Sequence, residues 1–206
     1  MRLARLDDDV MCARALTVEY LVPNDPDYTG PDQFKRLATP CARRRQISMR
    51  AYPEFGAKVS GGFLSHQVGK SFFRIVPALM APRIHSCDYP THSDTKIKTL
   101  AHLDLPHYHT DAWDKFYQKY QERRASGSYR KVISGGKTYE TERKSLHDIL
   151  EELEQSEGIA GLKRLHRELC VATPDFVARL DQYDLYRLYN FNFDAKRVQY
   201  FPQFSI

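Results

Sequence analysis

Five of the eight histidines fall between residues 85 and 109, and their spacing is the first sign of chemistry in this chain. His85 and Cys87, His92 and Asp94, His102 and Asp104, His107 and His109, and His109 and Asp111 are all pairs separated by one residue. Extended backbone points both members of such a pair to one face, whereas a helix splays them apart. Pro90 and Pro106 argue that this stretch is extended or looped. Imidazole, thiolate and carboxylate on one face are the donor types of a zinc or iron site. His85, Cys87, His107 and His109 are therefore the candidate ligands for zinc or another divalent metal. The spacings match no established ligand motif, and a His-x-Asp pair is equally the pattern of an ordinary surface histidine, so the expectation for the whole chain is that it needs no cofactor.

His107-Tyr108-His109 resembles the His-hydrophobic-His element of rolling-circle replication nucleases. The resemblance covers three residues and implies a divalent metal held beside a nucleophilic tyrosine. In those enzymes the pair lies on a strand that continues apolar and is followed by a helix carrying a tyrosine near a lysine. Here Thr110-Asp111 ends the apolar run at once, and Tyr117, Lys119 and Tyr120 supply the residue types without the usual spacing. Other catalytic signatures fail. Ser134-Gly135-Gly136-Lys137-Thr138 ends like a phosphate-binding loop, but Lys131 stands where its first glycine belongs. The sequence has no Gly-x-Ser-x-Gly elbow, no His-Glu-x-x-His and no spaced Cys/His finger.

A second chemistry is electrostatic. Between Gln33 and Cys87 the chain carries ten lysines and arginines against one acid, Glu54, while the remaining residues hold more acids than bases. The formal net charge of +5 thus comes from one segment. Concentrated charge of one sign costs self-repulsion unless an acidic partner, or the acidic runs Asp7 to Asp9 and Glu151 to Glu157, compensates it. Guanidinium groups pair bidentately with phosphate and stack on bases. Lys35, Arg36, Arg43, Arg44, Arg45 and Arg50 are the candidate nucleic-acid contacts, with Phe34, Tyr52 and Phe55 near enough in sequence to add aromatic contact. A basic patch alone does not separate RNA from DNA, an acidic protein surface or an anionic lipid.

The elements that must position these groups differ between the two halves. Nine of the eleven prolines lie in residues 1–110, which read as strands, turns and long loops. Leu16, Val18, Tyr20 and Val22 alternate with Thr17, Glu19 and Leu21 as in a half-buried strand that Pro23-Asn-Asp-Pro ends. Pro31 and Asp32 open a short helix through Phe34 and Leu37 on the same reading. Residues 111–206 are mainly helical. Asp111 caps a helix with Trp113, Phe116, Tyr117 and Tyr120 on one face, Arg130 to Glu140 reads as a hairpin around Ser134-Gly135-Gly136, and Ser145 with Asp148 caps a helix that Gly158 stops. A further helix runs from about Ile159 to Val171, and another starts at Thr173-Pro174. The fold class expected is α+β, with a proline-rich N-terminal half, a mainly helical C-terminal half with one β-hairpin, and an extended aromatic tail. The two halves are either two regions or one single domain.

That tail is itself a candidate site. Tyr189, Phe191, Phe193, Tyr200, Phe201 and Phe204 crowd the end of the sequence, with Phe191 and Phe193 alternating as in a strand. Each ring buries on the order of 150–250 Å² when it docks, so Phe191, Tyr200, Phe201 and Phe204 are the expected contacts to a protein partner. Four scattered cysteines without a Cys-x-x-Cys pair, and no apolar signal-like stretch, imply a reducing intracellular compartment. The most apolar segment, Gly61 to Pro82, is interrupted by His66, Lys70 and Arg74 and is no membrane span. The reading that follows is a non-enzymatic binding or structural subunit of a larger assembly, a ribonucleoprotein for preference, that contacts nucleic acid, RNA before DNA, or an acidic protein surface. The alternatives are a metal-dependent nuclease using residues 85–111, and an inhibitor or effector that occupies a nucleic-acid-binding site.

Overall fold

The computed structural model describes residues 10–38, 43–65, 67–75, 81–82, 87–88, 97–126 and 144–204. Its architecture is mixed α+β. The organising element is β1 (Cys12–Pro23), the alternating run read from sequence, extended four residues toward the N-terminus. It pairs antiparallel with β2 (Asp32–Arg36), from Val18 opposite Arg36 to Leu21 opposite Gln33. Its first residues pair antiparallel with β3 (Lys70–Phe73). A two-strand ladder apart from this sheet joins β4 (Ala81–Pro82) to β5 (Cys87–Asp88). The central strand also runs parallel to β6 (Ile97–His107), with a register shift between Arg14 and Leu16, and to β7 (Val171–Ala172) at its end. The strand β8 (Tyr186–Tyr189) lies antiparallel on the far side of β2. Gly69, at the entrance to β3, has φ +76, and a Cβ there would lie 1.9 Å from the carbonyl oxygen of Ala15, so only glycine fits.

The described helices are α1 (Arg44–Ala51), α2 (Trp113–Ser126), α3 (Leu146–Cys170), α4 (Pro174–Gln182) and α5 (Phe193–Tyr200). Their caps follow the local chemistry. Ser145 and Asp148 form a reciprocal capping box at the start of α3, and the Thr173 hydroxyl accepts from the Phe176 amide at the start of α4, with Pro174 in the first turn. Gly158 divides α3 into two helical halves with φ 63 and ψ −154, a conformation in which a side chain is strained. The core draws on both halves of the chain: Leu21, Tyr52 and Phe55 pack with Phe116 and Tyr120 of α2, Leu150, Leu162, Leu165 and Leu169 of α3, and Phe176 and Leu180 of α4. No helix among the described residues is long and apolar enough to cross a membrane.

Two expectations are corrected. The segment from Asp32 is a strand and not a short helix, because β1 and β8 satisfy both its edges and its alternation places Lys35 opposite Glu19. The aromatic tail is not extended. The strand stops at Tyr189, Asn192 adopts a left-handed conformation (φ 49, ψ 45), and the chain continues as α5 and a 3-10 turn at Pro202–Phe204. The hairpin expected at Arg130 to Glu140 lies outside the described residues.

Candidate functional site

The six basic residues read from the sequence separate into a buried one and an exposed set. Lys35 is wholly buried. Its ammonium lies 3.0 Å from Glu19 Oε1 and donates to the carbonyl of Gly62 at 2.5 Å and to the carbonyl of Leu169 at the C-terminus of α3. The rings of Tyr52 and Phe63 flank it at 5.6 and 5.4 Å. Glu19 completes the centre by accepting from the amides of Leu64 and Ser65. Burial raises the pKa of its carboxyl, but Lys35, His109 and these hydrogen bonds outweigh that and hold it below the ordinary value. Lys35 is thus a structural cation that ties the sheet to α3 and to the loop before β3. It faces no partner, contrary to its expected place among the nucleic-acid contacts.

The other five stay near the surface. Arg36 is half-buried with its guanidinium 3.9 Å from Asp184. Arg43, Arg45 and Arg50 are exposed and Arg44 is half-exposed, and among the described residues none of these four has an ion-pair partner. Their placement is unfavourable for the helix that carries them. Arg43 is the N-cap of α1 and provides no side-chain cap, Arg44 and Arg45 occupy the first turn, and no acid accompanies them. The positive end of a helix dipole disfavours cations by roughly 0.3–1 kcal/mol each. The local chemistry of the helix therefore does not favour three arginines at this end. The helix itself is seated by Ser48 and Ala51, its buried residues, and by Arg179 of α4, whose Nε donates to the Ala51 carbonyl at 3.1 Å.

The histidine-rich segment is described in part. His85 lies outside the described residues, and of Cys87 only its place in β5 is described. His107 and His109, at and just beyond the end of β6, stack with centroids 5.8 Å apart and planes 28° apart. His107 is exposed. His109 is buried near Glu19, and burial pushes its pKa down to about 4. Among the described residues no group of three or more His, Cys, Asp or Glu side chains is placed to hold a metal ion. On α2, where a replication nuclease would carry its tyrosine and lysine, Tyr120 is buried and donates to Glu154 at 2.7 Å, while Lys119 donates to the carbonyl of His109 at 2.6 Å.

The tail residues form an arm. No residue of α5 is buried. Phe193 is 64% exposed, Tyr200 65% and Phe201 54%. Phe191 is half-buried, and the Phe204 side chain lies outside the described residues. Sequence reading does not place Phe193 among the partner-binding residues, although its alternation with Phe191 is visible there. A cluster that sequence reading misses anchors the arm: Phe34, wholly buried, meets Tyr20, Tyr108, Tyr189 and Phe191 edge-on at 5.5, 5.3, 5.5 and 6.1 Å. These residues come from β1, β2, β8 and the segments just after β6 and β8, so only the strand order reveals the cluster. The Tyr108 phenol donates to Asp32 at 2.8 Å, and the Tyr189 phenol donates to Asp104.

No protein-family model matches this chain, and comparison with curated proteins and with solved structures finds no match.

Proposed function

We propose that this protein is a non-enzymatic binding subunit of a larger assembly, held to a protein neighbour by its C-terminal arm and to nucleic acid, RNA before DNA, by the basic start of α1. The observation that carries the reading is the arm: an eight-residue helix with no buried residue whose rings are half or more exposed. Exposed rings gathered on one short arm fit a surface that another molecule covers. The arginines support the second contact. Arg43, Arg44 and Arg45 stand at the end of a helix where positive charge is locally unfavourable and negative charge is favoured.

Sedimentation tests the proposal. Tagged full-length chain expressed in its own cells should move with a large particle that shrinks on nuclease treatment, and a chain ending at Asn190 should stay with free protein. Full-length chain that sediments as a lone protein overturns the reading.

A further inference from the structure

We propose that the ring stack of Tyr189, Phe191 and Phe193, together with Lys196 and Arg197, is a stacking site for an unpaired base of single-stranded nucleic acid. The inference rests on the nucleic-acid reading above and adds a ligand class and a place. Tyr189 and Phe191 stack at 5.5 Å with planes 14° apart, and Phe191 and Phe193 at 5.1 Å with the same angle. The inner end is fixed, because buried Phe34 meets both Tyr189 and Phe191 edge-on and the Tyr189 phenol is tied to Asp104. The left-handed turn at Asn192 carries the stack past the end of β8, and the outermost ring, Phe193, is 64% exposed. Parallel rings that end on an open ring fit a flat π-system better than the branched side chains of a protein groove.

The charges around the open ring are arranged to match. Residues three and four after a helical position share its face. A helix docking by an apolar stripe would place apolar side chains there, but after Phe193 these positions hold Lys196 and Arg197. Lys196 is exposed, and Arg197 lies 3.4 Å from Asp194, which offsets one of the two charges. An aromatic ring with cations one turn away meets a base together with its phosphates. Tyr200, two turns on along the same side of α5, extends this face, and Phe201, beyond the end of the helix, remains for the protein neighbour.

The test uses the full chain with a short fluorescein-labelled oligouridylate and an abasic oligomer of equal length. Phe193→Ala should weaken binding of the oligouridylate by about fivefold to a hundredfold, the range of one aromatic–base stack, and should leave binding of the abasic oligomer unchanged. Phe193→Trp should keep the affinity, and its indole fluorescence should be quenched on binding. If Phe193→Ala binds both oligomers as wild type does while Arg43→Ala/Arg44→Ala/Arg45→Ala binds them weakly, the stacking site falls and the nucleic-acid reading stands. If Phe193→Ala binds oligouridylate normally but leaves the particle, the ring is a protein contact and the stacking site falls. If wild type binds neither oligomer at low salt, both readings fall.

Discussion

Replacing Lys35 by methionine removes the ammonium from a site with no exposure and leaves three uncompensated groups. The Glu19 carboxylate keeps only the amides of Leu64 and Ser65 as close donors, and the carbonyls of Gly62 and Leu169 lose theirs. Breaking a buried ion pair costs about 3–5 kcal/mol, and each orphaned carbonyl about 1–3 kcal/mol, with considerable overlap between the two figures. A total near 5 kcal/mol is a large share of the 5–15 kcal/mol that holds a typical domain together. Removing the stranded charge as well should restore part of it: Lys35→Met/Glu19→Gln should recover about 2 kcal/mol over Lys35→Met alone, since neutral replacement of a buried pair is far cheaper than breaking it. Urea unfolding followed through the single tryptophan, Trp113, reports both values. Its ring lies 5.6 Å from that of core His166 and so senses the packing of α2 on α3. A loss below about 1 kcal/mol in Lys35→Met, or a double variant no more stable than the single one, would refute the assignment of Lys35 as a structural cation.

Four further outcomes follow from the same geometry. Deleting residues 193–206 should leave the urea midpoint almost unchanged, because no residue of α5 is buried; a truncated chain that unfolds would make the arm part of the core. Stability should fall as pH drops from about 6.5 toward 4: burial lowers the pKa of both His109 and His166 to about 4, so the unfolded chain binds more protons across that window and up to about 3 kcal/mol per imidazole is lost by its lower end. Equal urea midpoints at both ends of the window would contradict the burial of these rings. Gly158→Ala should destabilise by about 1–3 kcal/mol through backbone strain alone, since a Cβ there meets nothing within 4 Å, and a neutral result by calorimetry would show that α3 can straighten. Metal analysis should return no stoichiometric zinc; one zinc per chain, absent from His107→Ala, would restore the histidine-rich segment as a site.

The sequence is most legible where local chemistry decides structure. The capping box at Ser145, the stop at Gly158, the Thr173-Pro174 start and the aromatic face of α2 are all set within a turn or two of chain, and each lies where the pattern places it. It misleads where pairing across the sheet decides. Asp32 to Arg36 carries a start signal for a helix, yet the strands on either side claim its backbone and bury Lys35 opposite Glu19. A lysine in a basic run looks identical in sequence whether it meets solvent or a buried carboxylate, and only the register separates the two. The arginines of α1 are visible as a charge cluster, but their position at the helix N-terminus, which makes them unfavourable without an anion, depends on where the helix begins. The cluster around Phe34 draws on β1, β2, β8 and the residues after β6, and no spacing along the chain encodes it.

Equilibrium binding of labelled single-stranded RNA across a salt series reports whether the arginines at the start of α1 meet phosphates. Wild type should bind with affinity that falls linearly on a log–log plot, and Arg43→Ala/Arg44→Ala/Arg45→Ala should flatten that slope by about 0.7 for each phosphate no longer neutralised. The triple variant should also unfold no more readily than wild type, because it relieves repulsion at the start of α1. No binding at low salt, or a slope that the three substitutions leave unchanged, would contradict the account.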